Sequence, residues 1–322
     1  MLTLGIESSA HTFGVGIVDN GKVIANEKSM YKIGTTGMIP TKVAEFHMQN
    51  SNDVVRKALH KAGVKLSDIE GIGYTKGPGI GTCLQVGQLV AKTIAKKLNV
   101  KIVPVNHGIG HIEIGRIQSG LNDPVVLYVS GGNSQILKMT KERHYRVLGE
   151  TYDIGIGNML DNFAREIKLN PSWGSTVEKT AIGGKYVQMP YTVKGMDFSF
   201  TGLLTHCIKQ VGRHSKEDIC YSIQEASFSM LCEATERALL LTNSSELCVC
   251  GGVAQNTRLK EMLSIIAESH DAKIGYAANE FNADNGAMIA FVAERMIKGG
   301  FRAKLSECGI EQRYRIDRAM VF

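Results

Sequence analysis

Two histidines four residues apart, His107 and His111, stand in the run VNHGIGHIEIGR. On a helix that spacing places both imidazoles on one face, within reach of a single metal ion. Taken alone, an H-x-x-x-H pair is more often surface or core than a ligand pair. The residue after the first histidine is Gly108, so the general-base glutamate of an H-E-x-x-H protease is absent. Two imidazoles leave a metal short of ligands. Tyr128 and Asp284 are the candidates to complete the shell. A nitrogen and oxygen donor set with a phenolate suits iron, with zinc as the alternative.

Two turns of small polar residues could hold an anion. One is Glu7–His11 (ESSAH) and the other Ser130–Asn133 (SGGN). Such turns present backbone N–H groups and hydroxyls at a strand end, an arrangement that binds phosphates. Each alone also reads as an ordinary tight hairpin turn. Two of them, each heading one half of the chain, favour nucleotide phosphates held between lobes. The loop GGVAQN, residues 251–256, joins a buried-type strand to a helix. Ligands bind at such strand ends in α/β sheets, and the helix end favours negative charge. A tight βα connection reads it equally well. Asp161 and Glu178 lie on predicted helices (NMLDNFAREI and STVEKTA), where a solvated surface carboxylate is the plainer reading.

The elements that must position these residues follow from the pattern. Leu2–Glu27 reads as a three-stranded meander with an Asp-Asn-Gly turn at 19–21, a strong type I′ hairpin signal. A helix over 42–62, a strand ending at 77, the loop GPGIG and a helix over 82–98 follow. Around Pro124 the pattern restarts: strand, SGGN turn, strand, turn, strand. Ser8 and Ser130, the turn serines, lie 122 positions apart. Residues 171–201 read as irregular, 223–241 and 257–268 as helices, and 287–297 as a last helix before a basic tail. Two hairpin-led α/β halves predict two lobes, 1–121 and 122–322, with the C-terminal segment packing back on the first.

Composition sets the bounds. The 322 residues are 43% hydrophobic and 21% charged, ordinary for a globular chain long enough for two domains. The N-terminus enters strand-like sequence without a signal-peptide pattern, and no apolar run suits a membrane helix. A cytoplasmic protein with no membrane partner is the expectation. Seven cysteines without a C-x-x-C pair fit reduced, buried thiols. A net charge of +6 is compatible with a nucleic-acid partner, although many enzymes carry as much.

The runs GIESSAHT, KGPGIG, VNHGIGHIEIGR, YVSGGNSQ, VKGMDFSFTGLL, CYSIQEASFSML, GGVAQNTRL and ADNGAMIA together carry a resemblance. Across nearly its whole length the chain resembles the universal tRNA threonylcarbamoyladenosine family, in the archaeal and eukaryotic branch that forms the catalytic subunit of the KEOPS complex. The resemblance implies an α/β, two-lobed actin-like or Hsp70-like ATPase fold, with duplicated mixed-sheet domains and an interlobe active site. It implies a metal shell of His107, His111, Tyr128 and Asp284. For the nucleotide it implies Tyr128, Val129, Ser130, Gly131 and Gly132, beside the turn's Asn133. Asp161, Gly174 and Glu178 would lie near the ribose and Asn256 near the base, with Gly252 in the same loop. The bound nucleotide would be threonylcarbamoyl-adenylate, or ATP or an AMP analogue. The implied reaction is metal-assisted acyl transfer to the exocyclic amine of the adenosine beside the anticodon, in tRNAs reading codons that begin with A.

The implied partners are tRNA, a small atypical protein kinase (in some members fused at the C-terminus), a dimerising subunit and a kinase-binding subunit. The chain departs from the family pattern at three loops. Ile39-Pro40-Thr41-Lys42 stands where His-Pro-Arg-Glu is common, Thr82 and Gln85 where Pro and Arg are usual, and PSWGS (171–175) keeps Gly174 but not its glycine neighbour. Three other readings compete: an ATPase or small-molecule kinase of the same superfold, a metalloprotease, and a non-catalytic nucleotide-gated scaffold.

Overall fold

A computed structural model describes residues 1–32 and 38–321. The chain divides into two compact units, each described here by itself. The first comprises Met1–Ile114, Thr140–Tyr145 and Ala283–Phe322; the second comprises Gly115–Met139 and Arg146–Asn282. The units are divided differently from the expected lobes, 1–121 and 122–322, since Thr140–Tyr145 also lies in the first unit. The division falls inside a helix at 114/115, and the last forty residues belong to the first unit.

The first unit opens with β1 (Leu2–Glu7), β2 (Thr12–Asp19) and β3 (Lys22–Met30). The turn between β2 and β3 has Asn20 at φ 48° and Gly21 at φ 83°, as a type I′ hairpin requires. Helix α1 (Pro40–Ala62), β4 (Gly71–Gly77), α2 (Gly81–Leu98), β5 (Lys101–Asn106) and α3 (His107–Gln118) follow. The sheet order is β3-β2-β1-β4-β5. The hairpin pairs are antiparallel, and β1, β4 and β5 run parallel.

The second unit repeats the plan with β6 (Val125–Val129), β7 (Ser134–Met139) and β8 (Tyr145–Glu150). Then come α4 (Ile156–Glu166), α5 (Gly174–Thr180), and a short ladder of β9 (Val193–Lys194) and β10 (Asp197–Phe198). Helices α6 (Thr201–Gln210) and α7 (Lys216–Thr242) lead to β11 (Glu246–Cys250), α8 (Thr257–Ser269), β12 (Lys273–Tyr276) and the single turn α9 (Asn279–Asn282). Read from the hairpin edge, the sheet is β8-β7-β6-β11-β12, the order of the first sheet. Strands β6 and β11 are parallel, as are β11 and β12. Ser8 and Ser130 each directly follow the first strand of their sheet.

Helix α10 (Gly286–Lys298) explains why the chain returns to its first unit. It is buried along most of its length and packs on β1 and β2. A Cβ at Gly5 would lie 2.1 Å from the Ala290 nitrogen, and one at Gly16 would lie 2.2 Å from that of Ala287. Backbone therefore packs on backbone, which only glycine permits. Each unit has its own apolar core: Leu4, Ile6, Phe13, Ile72 and Tyr74 in the first, and Leu127, Phe163, Phe198 and Phe228 in the second. Among the described residues no helix is long and apolar enough to cross a membrane.

Candidate functional site

Three parallel strands of the first unit end side by side, and their ends carry the chemistry. Strand β1 finishes at Glu7, Thr75 lies near the end of β4, and His107 begins α3 directly after β5. The Asn106 side chain accepts the Ile109 N–H at 3.2 Å, which fixes the first turn of α3. His107 and His111 are therefore one turn apart on one face, with ring centroids 4.8 Å apart and planes at 82°. Asp284 arrives from the C-terminal segment, one residue before Asn285. That asparagine caps α10 by accepting the Met288 N–H at 2.9 Å.

The Asp284 Oδ1 lies 3.5 Å from His107 Nε2 and 3.4 Å from His111 Nε2. One ligand atom from each of the three residues fits within a 4.8 Å span. Behind His107 lies Glu7, fully buried. Its Oε2 is 3.0 Å from His107 Nδ1 and accepts the Thr75 hydroxyl at 2.7 Å, while Oε1 accepts the Ser9 N–H at 2.6 Å. Burial alone would depress the His107 pKa, but the Glu7 and Asp284 carboxylates push it up to about 9. Burial likewise opposes ionisation of Glu7 and Asp284, and in both the facing imidazole wins and holds the carboxyl below its ordinary value. A metal-free site thus carries a buried imidazolium between two carboxylates.

The turn Glu7–His11 is tied on three sides. The Ser9 carbonyl accepts the Ile80 N–H at 2.7 Å, Ala10 O lies 2.8 Å from His47 Nε2, and the His11 carbonyl accepts the Tyr31 N–H at 2.9 Å. Two of the three unusual loops prove to be neighbours, since the Thr82 hydroxyl donates to the Pro40 carbonyl at 3.4 Å.

Tyr128 belongs to the second unit, fully buried at the end of β6 and paired across the sheet with Cys250. The turn that follows closes on itself. Ser130 N–H donates to Asn133 O at 2.8 Å, and Asn133 N–H donates to Ser130 Oγ at 3.1 Å. Gly131 and Gly132 are exposed, and a Cβ on Gly132 would meet nothing. At the start of α4, the N–H groups of Ile156, Gly157 and Asn158 already donate to Ser134 Oγ, Ser130 O and Gly131 O.

The same holds for the carboxylates. Asp161 Oδ1 accepts the Gly174 N–H at 2.7 Å and so caps α5. Glu178 Oε1 accepts the Thr257 N–H at 2.8 Å, the first donor of α8, and Asn256 Oδ1 takes that of Leu259 at 3.1 Å. Asp153, in the same style, accepts the N–H groups of Phe200 and Thr201 where α6 begins. Val129, Gly252 and these residues all lie in the second unit. Gly252 is exposed with open space where a Cβ would go. Three residues were missed from sequence. Glu7 was read only as part of a turn. Gly251, at φ 97°, would place a Cβ 2.3 Å from the Val129 carbonyl. Gln224 accepts the Asn256 amide at 3.0 Å and is almost fully buried on α7.

Residues 21–291 match the family model of the TsaD proteins, described as tRNA N6-adenosine threonylcarbamoyltransferase. The chain belongs to this transferase family. A Thermococcus gammatolerans protein of that name is 45% identical over 324 residues, covering 100% of this chain and 99% of its own. A Thermoplasma volcanium protein, named a probable bifunctional tRNA threonylcarbamoyladenosine biosynthesis protein, is 46% identical over 98% of this chain, which spans 60% of the relative's length. Among solved structures, HypF of T. kodakarensis superposes with TM-score 0.65 at 17% identity, over 92% of this chain and 48% of that one. The fold is that of the actin-like ATPases. Within the family the chain is a tRNA-modifying transferase, which excludes the kinase, protease and scaffold readings.

Proposed function

We propose that this chain transfers a threonylcarbamoyl group from threonylcarbamoyl-adenylate to the N6 amine of the adenosine beside the anticodon, in tRNAs reading codons that begin with A. The observation that carries the site is the convergence of His107 Nε2, His111 Nε2 and Asp284 Oδ1 within one ion's reach. Two imidazoles and a carboxylate are a natural donor set for a first-row divalent metal, and Tyr128 is the proposed fourth ligand. We favour iron because of the phenolate, with zinc as the alternative that metal analysis separates. When bound, such an ion supplies Lewis-acid polarisation of an acyl oxygen.

The remaining steps belong to the protein. His107, His111 and Asp284 bind and orient, and the burial of the two histidines keeps water from an activated acyl donor. Gly132 and Gly252, with exposed Gly131 beside them, leave open backbone where an adenylate phosphate would lie. Asp161, Gly174, Glu178 and Asn256 hold the helix ends around the nucleoside. The tRNA amine attacks the carbamoyl carbon and AMP leaves, so no covalent enzyme intermediate is needed. The cysteines agree: all seven are buried, and burial pushes the thiols of Cys207, Cys220 and Cys232 up to about 12.

The proposed partners are tRNA and KEOPS-type subunits: a small atypical kinase, a dimerising subunit and a kinase-binding subunit, in the cytoplasm. A longer relative named bifunctional supports a fused second activity in some members. The test is a reconstituted assay with threonine, bicarbonate, ATP, the synthase, partner subunits and tRNA, run with and without chelator. Transfer that stops with chelator and returns with metal supports the proposal. Undiminished transfer by a chelated His107→Ala, His111→Ala double variant contradicts it.

A further inference from the structure

We propose that Glu7 is the positioning residue of the metal centre, fixing His107 as the Nδ1–H tautomer and so presenting its Nε2 lone pair to the ion. This rests on the metal reading above. An ionised carboxylate only accepts hydrogen bonds, so the nitrogen 3.0 Å from Glu7 Oε2 must carry the proton. The ring's other nitrogen then faces Asp284 Oδ1, at 3.5 Å, on the side where His111 Nε2 also lies. A buried carboxylate without partners is strongly unfavourable. Here the Ser9 N–H and the Thr75 hydroxyl join His107 as donors, so Glu7 cannot swing toward the ion itself.

A purely structural reading has Glu7 joining β1 to β4, and the Thr75 bond alone would suffice for that. The His107 contact adds direction. It couples a negative charge to the far nitrogen of a metal-facing ring, which raises ligand basicity and holds the ring plane. Removing such partners costs metal affinity by roughly 10–100-fold in other sites.

The experiment uses the full chain with zinc alone and reads the dissociation constant by competition with a chelating dye. Glu7→Gln keeps the shape and an acceptor but loses the charge; Glu7→Ala loses both. The expected result is affinity about 10-fold weaker for Glu7→Gln and about 100-fold weaker for Glu7→Ala, with circular dichroism of the metal-free Glu7→Gln protein unchanged. In zinc-loaded wild type, nitrogen-15 spectra should place a slowly exchanging proton on His107 Nδ1 and zinc on Nε2. That measurement stands even where Glu7→Ala does not fold. Unaltered zinc affinity in a folded Glu7→Gln protein, or zinc bonded to Nδ1, overturns the inference and leaves the metal reading in place. A wild-type chain that takes up neither zinc nor iron overturns both.

Discussion

The carboxylates of the two units are used in opposite ways. In the first unit, Glu7 and Asp284 face imidazoles, and the result is a cluster of ionisable groups held by side chains, buried except at the half-buried Asp284. In the second unit, Asp153, Asp161 and Glu178 face backbone N–H groups and fasten the starts of α6, α5 and α8. A carboxylate satisfied by a helix end is structural mortar, and what remains for a ligand there is open glycine backbone. A carboxylate that faces a histidine leaves the other ring nitrogen available for chemistry. The duplicated topology thus carries a histidine–carboxylate cluster on one copy and carboxylate-capped helix starts on the other.

That contrast can be broken from either side. The largest expected effect is on the first unit, where replacing His107 and His111 by Ala should remove metal binding and lower transfer about 1,000-fold or more, read by metal analysis and by tRNA modification. Next in size is Gly251→Ala. Its positive φ and its clash with the Val129 carbonyl should cost about 3 kcal/mol of stability in a denaturant melt. Gly132→Ala, with open space around it, should change stability by less than about 0.5 kcal/mol while weakening adenine-nucleotide binding. Equal stability of the two variants would erase the distinction between packed and open glycines. Asp161→Ala, which removes a helix cap, should cost about 1 kcal/mol of stability.

The charge arrangement gives a pH test with a definite sign. His107 moves from an ordinary value of 6.5 to about 9 in the metal-free protein. Its pairing with the carboxylates therefore stabilises fully below pH 6.5 and is lost as pH rises toward 9. The lowered Glu7 and Asp284 values fix the acid side: their share is present above the ordinary carboxylate range and is lost as pH falls below it. Over that upper window the Tm of the metal-free protein should fall, and the Tm gain on adding metal should grow. Metal uptake near pH 7 should also release close to one proton per ion, measurable with an indicator dye.

Local chemistry was legible where one residue type decides it. Asn20-Gly21 read as a hairpin because few other pairs tolerate two positive φ values, and the paired restart at Pro124 pointed to two hairpin-led α/β halves, although not to their common strand order. The i, i+4 spacing of His107 and His111 told only that both rings share a helix face; what they meet, Glu7 and Asp284, comes from other elements. Glu7 was not legible, since its meaning depends on three parallel strand ends bringing residues 7, 75 and 107 together. What satisfies the helix-end donors depends on tertiary contacts for the same reason. Spacing shows a helix start but not that Glu178, 79 residues earlier, already occupies it. The pattern suggests a C-terminal segment returning to the first half, but the close fit of α10 at Gly5 and Gly16 appears only when a backbone lies against them.

The central claim is that His107, His111 and Asp284 hold an ion on which transfer depends. The most direct test strips the purified chain of metal, adds back iron or zinc in fractions of an equivalent, and follows threonylcarbamoyl incorporation into tRNA with the partner subunits present. Incorporation should rise in proportion to added metal and level off at one ion per chain. Full incorporation by the stripped protein before any metal is added would contradict the account.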